Sequence, residues 1–231
     1  MRTFLLTAVI LAAIATPAEA ATRNFGITDF SKVRVDGPYK VSFVSGVAPF
    51  ARASGSAQAL DRLTIEVRGD TLVVQNNKSG WGGYPGANPG PIEVSIGTHE
   101  IDNAWVNGAG SLIIDRVRGL DFALSVQGSG RAEVAAADAD QVSVSLIGTA
   151  SAKLSGKAKK LTALVRGISA LDASGLTSTD ASIGAEGAAT IDANVRDEAT
   201  VSASGPAIIR LAGNPTCVLR TGGSATVSGC R

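Results

Sequence analysis

The sequence has few aromatic residues. They make up 4% of 231 residues, and neither Phe, Trp nor Tyr occurs from Ala123 to Arg231. A globular core normally uses aromatic side chains as bulky filler, so their scarcity favours a narrow core lined by Ala, Val, Ile and Leu. The 21 basic and 20 acidic residues nearly cancel. That balance argues against nucleic acid as a partner, because nucleic-acid binding favours a basic face.

Residues typical of catalytic and metal sites are also scarce. His99 is the only histidine, and a Ser-His-Asp or Cys-His arrangement would need it. The sequence contains no G-x-S-x-G nucleophile elbow. Metal sites need clustered His, Cys or carboxylate side chains, whereas the acidic residues here are spread singly. We therefore predict no catalytic residue, no metal site and no cofactor, and we interpret His99 as a surface residue.

The two cysteines, Cys217 and Cys230, both lie close to the C-terminal end of the chain. In an oxidising compartment this placement predicts one disulfide. The short loop that it closes would contribute about 3 kcal/mol in the chain-entropy model. The alternative is a pair of free thiols.

Residues 1–20 are typical of a signal peptide. Arg2 supplies the positive start, residues 4–15 are an apolar run too short to span a bilayer, and Ala18-Glu19-Ala20 is a cleavage site. No later run approaches the roughly 18 apolar residues of a membrane helix. We expect an exported mature chain that starts near Ala21 and has no transmembrane segment.

A near-repeat dominates the chain from Val106 onward. It is marked by seven glycines: Gly108, Gly128, Gly148, Gly167, Gly187, Gly205 and Gly222. A glycine that recurs about every 20 residues is typical of a solenoid, in which one structural unit stacks on the next. The spacing becomes slightly shorter toward the C-terminus.

Apolar residues alternate on both sides of each glycine, which is the period of a strand with one buried face. The fourth residue after the first six glycines is expected to stack inside: Leu112, Ala132, Ala152, Leu171, Ile191 and Ile209. The fifth residue is expected to point outward: Ile113, Glu133, Lys153, Asp172, Asp192 and Arg210. We interpret this charged ladder as a solvated face, with a polar ligand strip as the alternative.

The predicted fold is all-β. It is a single-stranded, right-handed parallel β-helix with coils of about 20 residues. Residues 21–231 would form one domain, with the regular repeats in 101–231. Residues 21–100 would contribute longer strands, hairpin turns and a single helical turn at 57–62. A β-sandwich is the competing architecture, but it would not explain a residue class that recurs at a fixed offset.

Two segments of the N-terminal part are candidates for recognition. Residues 76–91 are rich in Gly, Pro and Asn and carry Trp81 and Tyr84, which we predict as binding residues on an exposed loop. A locally packed loop without a ligand is the alternative. Arg68-Gly69-Asp70 spells a receptor-binding tripeptide, but its place between two strands favours a hairpin turn.

The motifs of the N-terminal half resemble a known family. They are the alternating segment 30–43, the hairpin segment 63–74 and the segment 91–112, which holds PIEVSI and VNGAGSL. Together they are similar to the head GIN domain family, whose members are labelled auto-transporter adhesins. The resemblance covers residues 25–222. It implies an exported bacterial protein with a β-helix-like fold, and it implies neither a reaction nor catalytic residues.

From these features we predict an exported, non-enzymatic structural or binding module of the envelope of a Gram-negative bacterium. It would lie in the periplasm or at the cell surface, and its partner would be an envelope protein or a surface glycan. Two alternatives remain. One is a glycan-active β-helix enzyme, and the other is an envelope-maintenance protein that binds another envelope protein.

Overall fold

The computed structural model describes residues 21–77 and 90–231, and these contain seventeen strands and one short helix. The N-terminal strands are β1 Ala21–Phe25, β2 Lys32–Asp36, β3 Lys40–Ser45, β4 Phe50–Gly55, β5 Leu63–Arg68, β6 Thr71–Asn76 and β7 Glu93–Thr98. Helix α1, Ala57–Asp61, lies between β4 and β5. The remaining strands are β8 Asn103–Gly108, β9 Ser111–Ile114, β10 Val117–Gly128, β11 Arg131–Gly148, β12 Ser151–Gly167, β13 Ala170–Glu186, β14 Thr190–Ser204, β15 Ile208–Ala212, β16 Thr216–Gly222 and β17 Thr226–Ser228.

The regular repeats form a parallel β-solenoid, as predicted. Each of the strands β10 to β13 pairs in parallel with the next, so a residue faces its counterpart one coil further along the chain. Val126, for example, faces Leu146, and Leu146 faces Val165. Continuous parallel pairing between successive repeats contradicts the sandwich alternative and confirms that each repeat forms one coil.

The inward-pointing side chains of each coil form the core. All six side chains expected at the fourth position after the glycine are buried, with exposed fractions between 0% and 5%. Their register runs from Leu112 to Ala132, Ala152 and onward through the coils. The largest fully buried aromatic side chains are Phe43 and Phe122, at the N-terminal side of this column. Aliphatic residues suffice further on because each coil buries its side chains against the same positions above and below.

The turns stack glycine on glycine. The amide of Ile168 donates to the carbonyl of Gly148 at 2.8 Å, one coil away. Gly167 has a φ of +87°, and a Cβ added to it would lie 2.5 Å from the Gly148 oxygen. A side chain is therefore excluded both by the backbone conformation and by the neighbouring coil.

The assignment of Gly222 as the seventh stacked glycine is wrong. Gly222 faces Ser204, and a Cβ on it would meet nothing within 4 Å. Gly223, with a φ of +74°, lies against Gly205 instead. Two consecutive glycines made the choice ambiguous, and the backbone register between β14 and β16 decides it.

The N-terminal coils are not stacked in chain order. Strand β2 pairs in parallel with β6 on one side and with β8 on the other, and β3 lies in the same way between β7 and β9. The chain therefore builds the coil of β2 and β3 first. It then places β6 and β7 on one side of that coil and β8 and β9 on the other.

The hairpin predicted between residues 63 and 75 is confirmed, since β5 and β6 pair antiparallel around Gly69. Within the turn, Asp70 forms an ion pair with Lys32 at 2.7 Å, and Arg68 pairs with Glu66. The expectation of longer strands in this part is wrong. Strands β1 to β7 have five or six residues, because their turns break the pairing that runs continuously through the regular coils.

Antiparallel strands cover the N-terminal end of the solenoid. Strand β5 adds to β6, β4 adds to β7, and β1 adds to β4. Helix α1 begins with a cap in which the Ser56 hydroxyl accepts from the Ala59 amide at 3.1 Å, and it buries Ala59 and Leu60. The single helical turn was predicted. Together these elements cover one end of the aliphatic core, and the edge of the sheet there is formed by β5 and β1.

The disulfide predicted between Cys217 and Cys230 is present, with a Cα–Cα distance of 5.7 Å, so the free-thiol alternative is wrong. Cys217 lies next to Ala199 in an inward column, and both cysteines pack against the core. Leu219, the counterpart of the fully buried Val201, is 46% exposed. The disulfide therefore cross-links the last coil, whose inward side chains are only partly buried.

We predict that Gly167→Ala is far more destabilising than Gly46→Ala. Gly46 also has a positive φ, +73°, but its missing Cβ would meet nothing within 4 Å. The control should cost about 1–2 kcal/mol for the left-handed backbone, and Gly167→Ala about 3–5 kcal/mol because the added methyl also overpacks the turn. Urea denaturation measures both variants, and equal losses would contradict glycine stacking as the reason for the repeat.

We predict that Cys217→Ser combined with Cys230→Ser loosens the last coil alone. In a solenoid each coil contacts only its neighbours, and the lost cross-link is worth about 3 kcal/mol. Hydrogen exchange should become faster in β16 and β17 and stay unchanged in β11 and β12. Faster exchange throughout the repeats would show instead that the bridge supports the whole solenoid.

Candidate functional site

A tryptophan lies on the outer surface of the solenoid at the start of the regular repeats. In β8, Ala104 and Val106 are fully buried, and Trp105 points outward between them with its side chain half-buried. The register places Trp105 beside Arg34 on one side and Ser125 on the other. We call this surface the Trp105 face and define it by two outward rows: Arg34, Trp105, Ser125, Ser145 and Leu164, then Asp36, Asn107 and Gln127.

A polar cleft of about 720 Å³ opens beside Trp105. Its lining includes Arg34, Asp36, Asn107 and Gln127, which come from three successive layers of the sheet. The cleft therefore brings together residues from distant parts of the chain. An aromatic side chain and several polar side chains that converge in one concave surface make the cleft a candidate for ligand contact.

The carboxylate of Asp36 organises this cleft. It accepts a hydrogen bond from Arg34 Nε at 3.0 Å and one from Asn107 Nδ2 at 2.6 Å. Both partners are held at neighbouring positions of the sheet, so three polar side chains are fixed in one arrangement. The exposed Gln127 amide makes no hydrogen bond to any residue that the structure describes, and it remains available to a ligand.

The predicted binding residues Trp81 and Tyr84 lie outside the described residues. Trp105 was missed by the sequence analysis, although the pattern contained a signal for it. Val106 stands two residues before a turn glycine, at an inward position, so strict alternation places Trp105 outside. An aromatic side chain at an outward position of a strand is a stronger indication of binding than an aromatic in a Gly-Pro segment, because the sheet fixes its orientation.

The charged ladder is in the predicted register, but it contains one close ion pair within residues 21–77 and 90–231. Arg210 and Asp192 are 3.0 Å apart. Asp172 instead accepts a hydrogen bond of 2.6 Å from the Ser174 hydroxyl. That bond, more than the nearby charge of Lys153, lowers the pKa of Asp172. The side chains of the close pair are 57% and 35% exposed, which is typical of a solvated surface pair that contributes little.

His99 is on the surface, as predicted. Its Nδ1 lies 3.6 Å from an oxygen of Asp29, and the Thr98 hydroxyl also donates to Asp29. The bond from Thr98, followed by the contact with His99, lowers the pKa of Asp29. Across the described part of the chain, no group of three or more His, Cys, Asp or Glu side chains could hold a metal ion. No helix among the described residues is long and apolar enough to cross a membrane.

A family model described as "Putative auto-transporter adhesin, head GIN domain" matches residues 29–215. The chain belongs to this family. The match includes the Trp105 face and all regular coils up to the loop before β16. No curated protein matches the chain significantly.

Solved structures of other proteins have the same fold as this chain. A "putative adhesin" from Bacteroides fragilis superposes with a TM-score of 0.80 at 16% identity, over 91% of this chain and 97% of that one. A "putative lipid binding protein" from Parabacteroides distasonis gives a TM-score of 0.70 at 19% identity, over 90% and 95% of the two chains. A "putative adhesin" from Parabacteroides merdae gives 0.66 at 18% identity, over 90% and 95%.

Proposed function

We propose that the chain is an exported, non-catalytic, adhesin-like module of the bacterial envelope that binds a surface glycan through the Trp105 face. The observation that carries this proposal is the outward Trp105 beside the fixed trio of Arg34, Asp36 and Asn107. The apolar face of a sugar ring stacks on an indole, while its hydroxyls pair with carboxylate, amide and guanidinium groups. Binding thus uses both the indole of Trp105 and the polar side chains of the cleft.

The rigidity of the sheet favours recognition of this kind. The backbone of each residue of the face is held by strand pairing on both sides, so little backbone freedom is lost when a ligand binds. The signal peptide predicted at residues 1–20 and the adhesin label of the family support an exported protein. Periplasm and cell surface of a Gram-negative bacterium both suit a glycan-binding module.

The carboxylate of the cleft supports binding over hydrolysis. Glycosidases use two carboxyl groups, about 5–10 Å apart, on either side of the scissile bond. Among the described residues that line the cleft, Asp36 supplies the carboxylate, and its oxygens are already engaged by Arg34 and Asn107. Both hydrogen bonds go to Oδ1, so the remaining lone pairs of the carboxylate can still accept from sugar hydroxyls. A glycan-active enzyme remains the alternative, and product formation distinguishes the two.

We predict that Trp105→Ala weakens glycan binding at least tenfold without loss of stability. The probes are chitin, purified peptidoglycan sacculi and soluble neutral β-linked oligosaccharides, tested by co-sedimentation and calorimetry. Ile113→Ala is the matched control, because Ile113 is also an outward strand residue, 51% exposed, on a different face. It should bind like the wild type.

Three results would contradict the proposal. Equal glycan binding by the wild type and Trp105→Ala would show that the Trp105 face is not the binding site. Release of reducing sugar from any probe would show an enzyme. Retention of a protein from envelope extracts that depends on Trp105, together with no binding to any glycan, would identify the face as a protein-binding surface.

A further inference from the structure

A second depression continues from Trp105 along the solenoid. It has a volume of about 250 Å³, and Trp105 and Leu164 stand at its two ends in the same outward row. Ser125 and Ser145 occupy the two coils between them. Strands in a sheet lie about 4.8 Å apart, so three coil steps separate the two large side chains by about 14 Å.

Short side chains form the floor of this groove. Beside Ser125 and Ser145, the neighbouring row contributes Ala123, Ser143 and Thr162. The hydroxyls of Ser125, Ser145 and Thr162 make no hydrogen bond to any other described residue, although all three residues are partly buried. The groove therefore has an almost entirely apolar surface, to which these hydroxyls add only a small polar part.

The groove and the polar cleft lie on either side of Trp105, which lines both. The indole stands between the polar cleft and the groove, and the groove ends at Leu164. A single sugar ring is shorter than the groove, so it could not contact both the groove and the polar cleft. An occupant of the whole surface is thus an extended chain aligned with the solenoid axis.

The charges of the surface indicate which glycans fit. No charged side chain lines the groove among the described residues. The cation lining the cleft, Arg34, is paired with Asp36, with its Nε 2.9 Å from the carboxylate. An acidic polysaccharide or an anionic lipid headgroup would find no unpaired cation in either depression, and burying an unpaired charge is costly.

We infer that the groove ending at Leu164 is a second subsite, and that the ligand is a neutral glycan chain several sugar units long, lying along the solenoid from the Asp36 cleft past Trp105 to Leu164. This inference rests on the proposed glycan-binding function. It adds the length, the direction and the charge of the ligand.

Calorimetry with di- and hexasaccharides of two neutral series, cello- and chito-oligosaccharides, tests the subsite. The wild type should bind a hexasaccharide at least tenfold more tightly than the disaccharide of its series. Leu164→Ala should weaken hexasaccharide binding about three- to tenfold and leave the disaccharide unchanged. Ser145→Gln, which fills the groove, should do the same, whereas Trp105→Ala should weaken binding of both lengths.

The same calorimetry tests the charge of the ligand and whether the ligand is a glycan or an acyl chain. Hexasaccharide affinity should not change between low and high salt, because screening acts only on charged contacts. An oligogalacturonate hexamer of equal length should bind more weakly. Tighter and salt-dependent binding of that acidic hexamer would overturn the assignment to neutral glycans, and preference for a decanoyl chain over every sugar would identify an acyl-chain groove.

The outcomes separate the two proposals. If Trp105→Ala weakens binding but Leu164→Ala and Ser145→Gln change nothing, the second subsite is wrong and the glycan-binding face remains. If neither neutral series binds and Trp105→Ala has no effect on any probe, both proposals fall. Ile113→Ala, outside the face, should behave as wild type at every length.

Discussion

Backbone-on-backbone contact between successive coils is the constraint on which the rest of this structure depends. At three successive turns the amide that follows the glycine donates to a glycine carbonyl of the coil before it: Ser129 to Gly108 at 3.0 Å, and Thr149 to Gly128 and Ile168 to Gly148 at 2.8 Å. The coils can approach this closely only where no side chain stands between them. The glycine period therefore reflects this close approach, and it aligns the strand positions on either side of each turn. Elsewhere in the coils the register shifts at bulges, as between Val134 and Ala137.

Once register is fixed, each position of the coil becomes a row along the solenoid. Inward rows hold aliphatic side chains that pack against their own counterparts, which explains how a core can form with almost no aromatic residues. Outward rows become flat, rigid surfaces whose chemistry is set by a few residues from distant parts of the sequence. The Trp105 face is such a surface, since Arg34 and Trp105 are neighbours in the sheet although they lie far apart in the chain.

The sequence predicted the solenoid and its inward rows, because period-2 alternation and glycine spacing are local signals. It predicted the hairpin at Gly69 from a turn between two strand patterns, and the disulfide from two cysteines close together near the C-terminus. It could not predict that β2 and β3 lie between β6–β7 and β8–β9, because any apolar parallel strand can pair with any other. For the same reason the sequence did not predict the candidate site around Trp105. Alternation orients Trp105 outward, but only the long-range register places Arg34, Asp36 and Gln127 around it. The last turn was ambiguous between Gly222 and Gly223, since the glycine spacing shortens toward the C-terminus.

The chain has two tryptophans, Trp81 and Trp105, and their indole N–H signals distinguish the two candidate sites directly. ¹⁵N spectra of the wild type, assigned with Trp81→Phe and Trp105→Phe, would be recorded while chitohexaose and cellohexaose are added. Binding through the Trp105 face predicts that the Trp105 indole signal shifts and that the Trp81 signal does not. A shift confined to Trp81, or no shift of either signal with any neutral glycan that the protein retains, would contradict it.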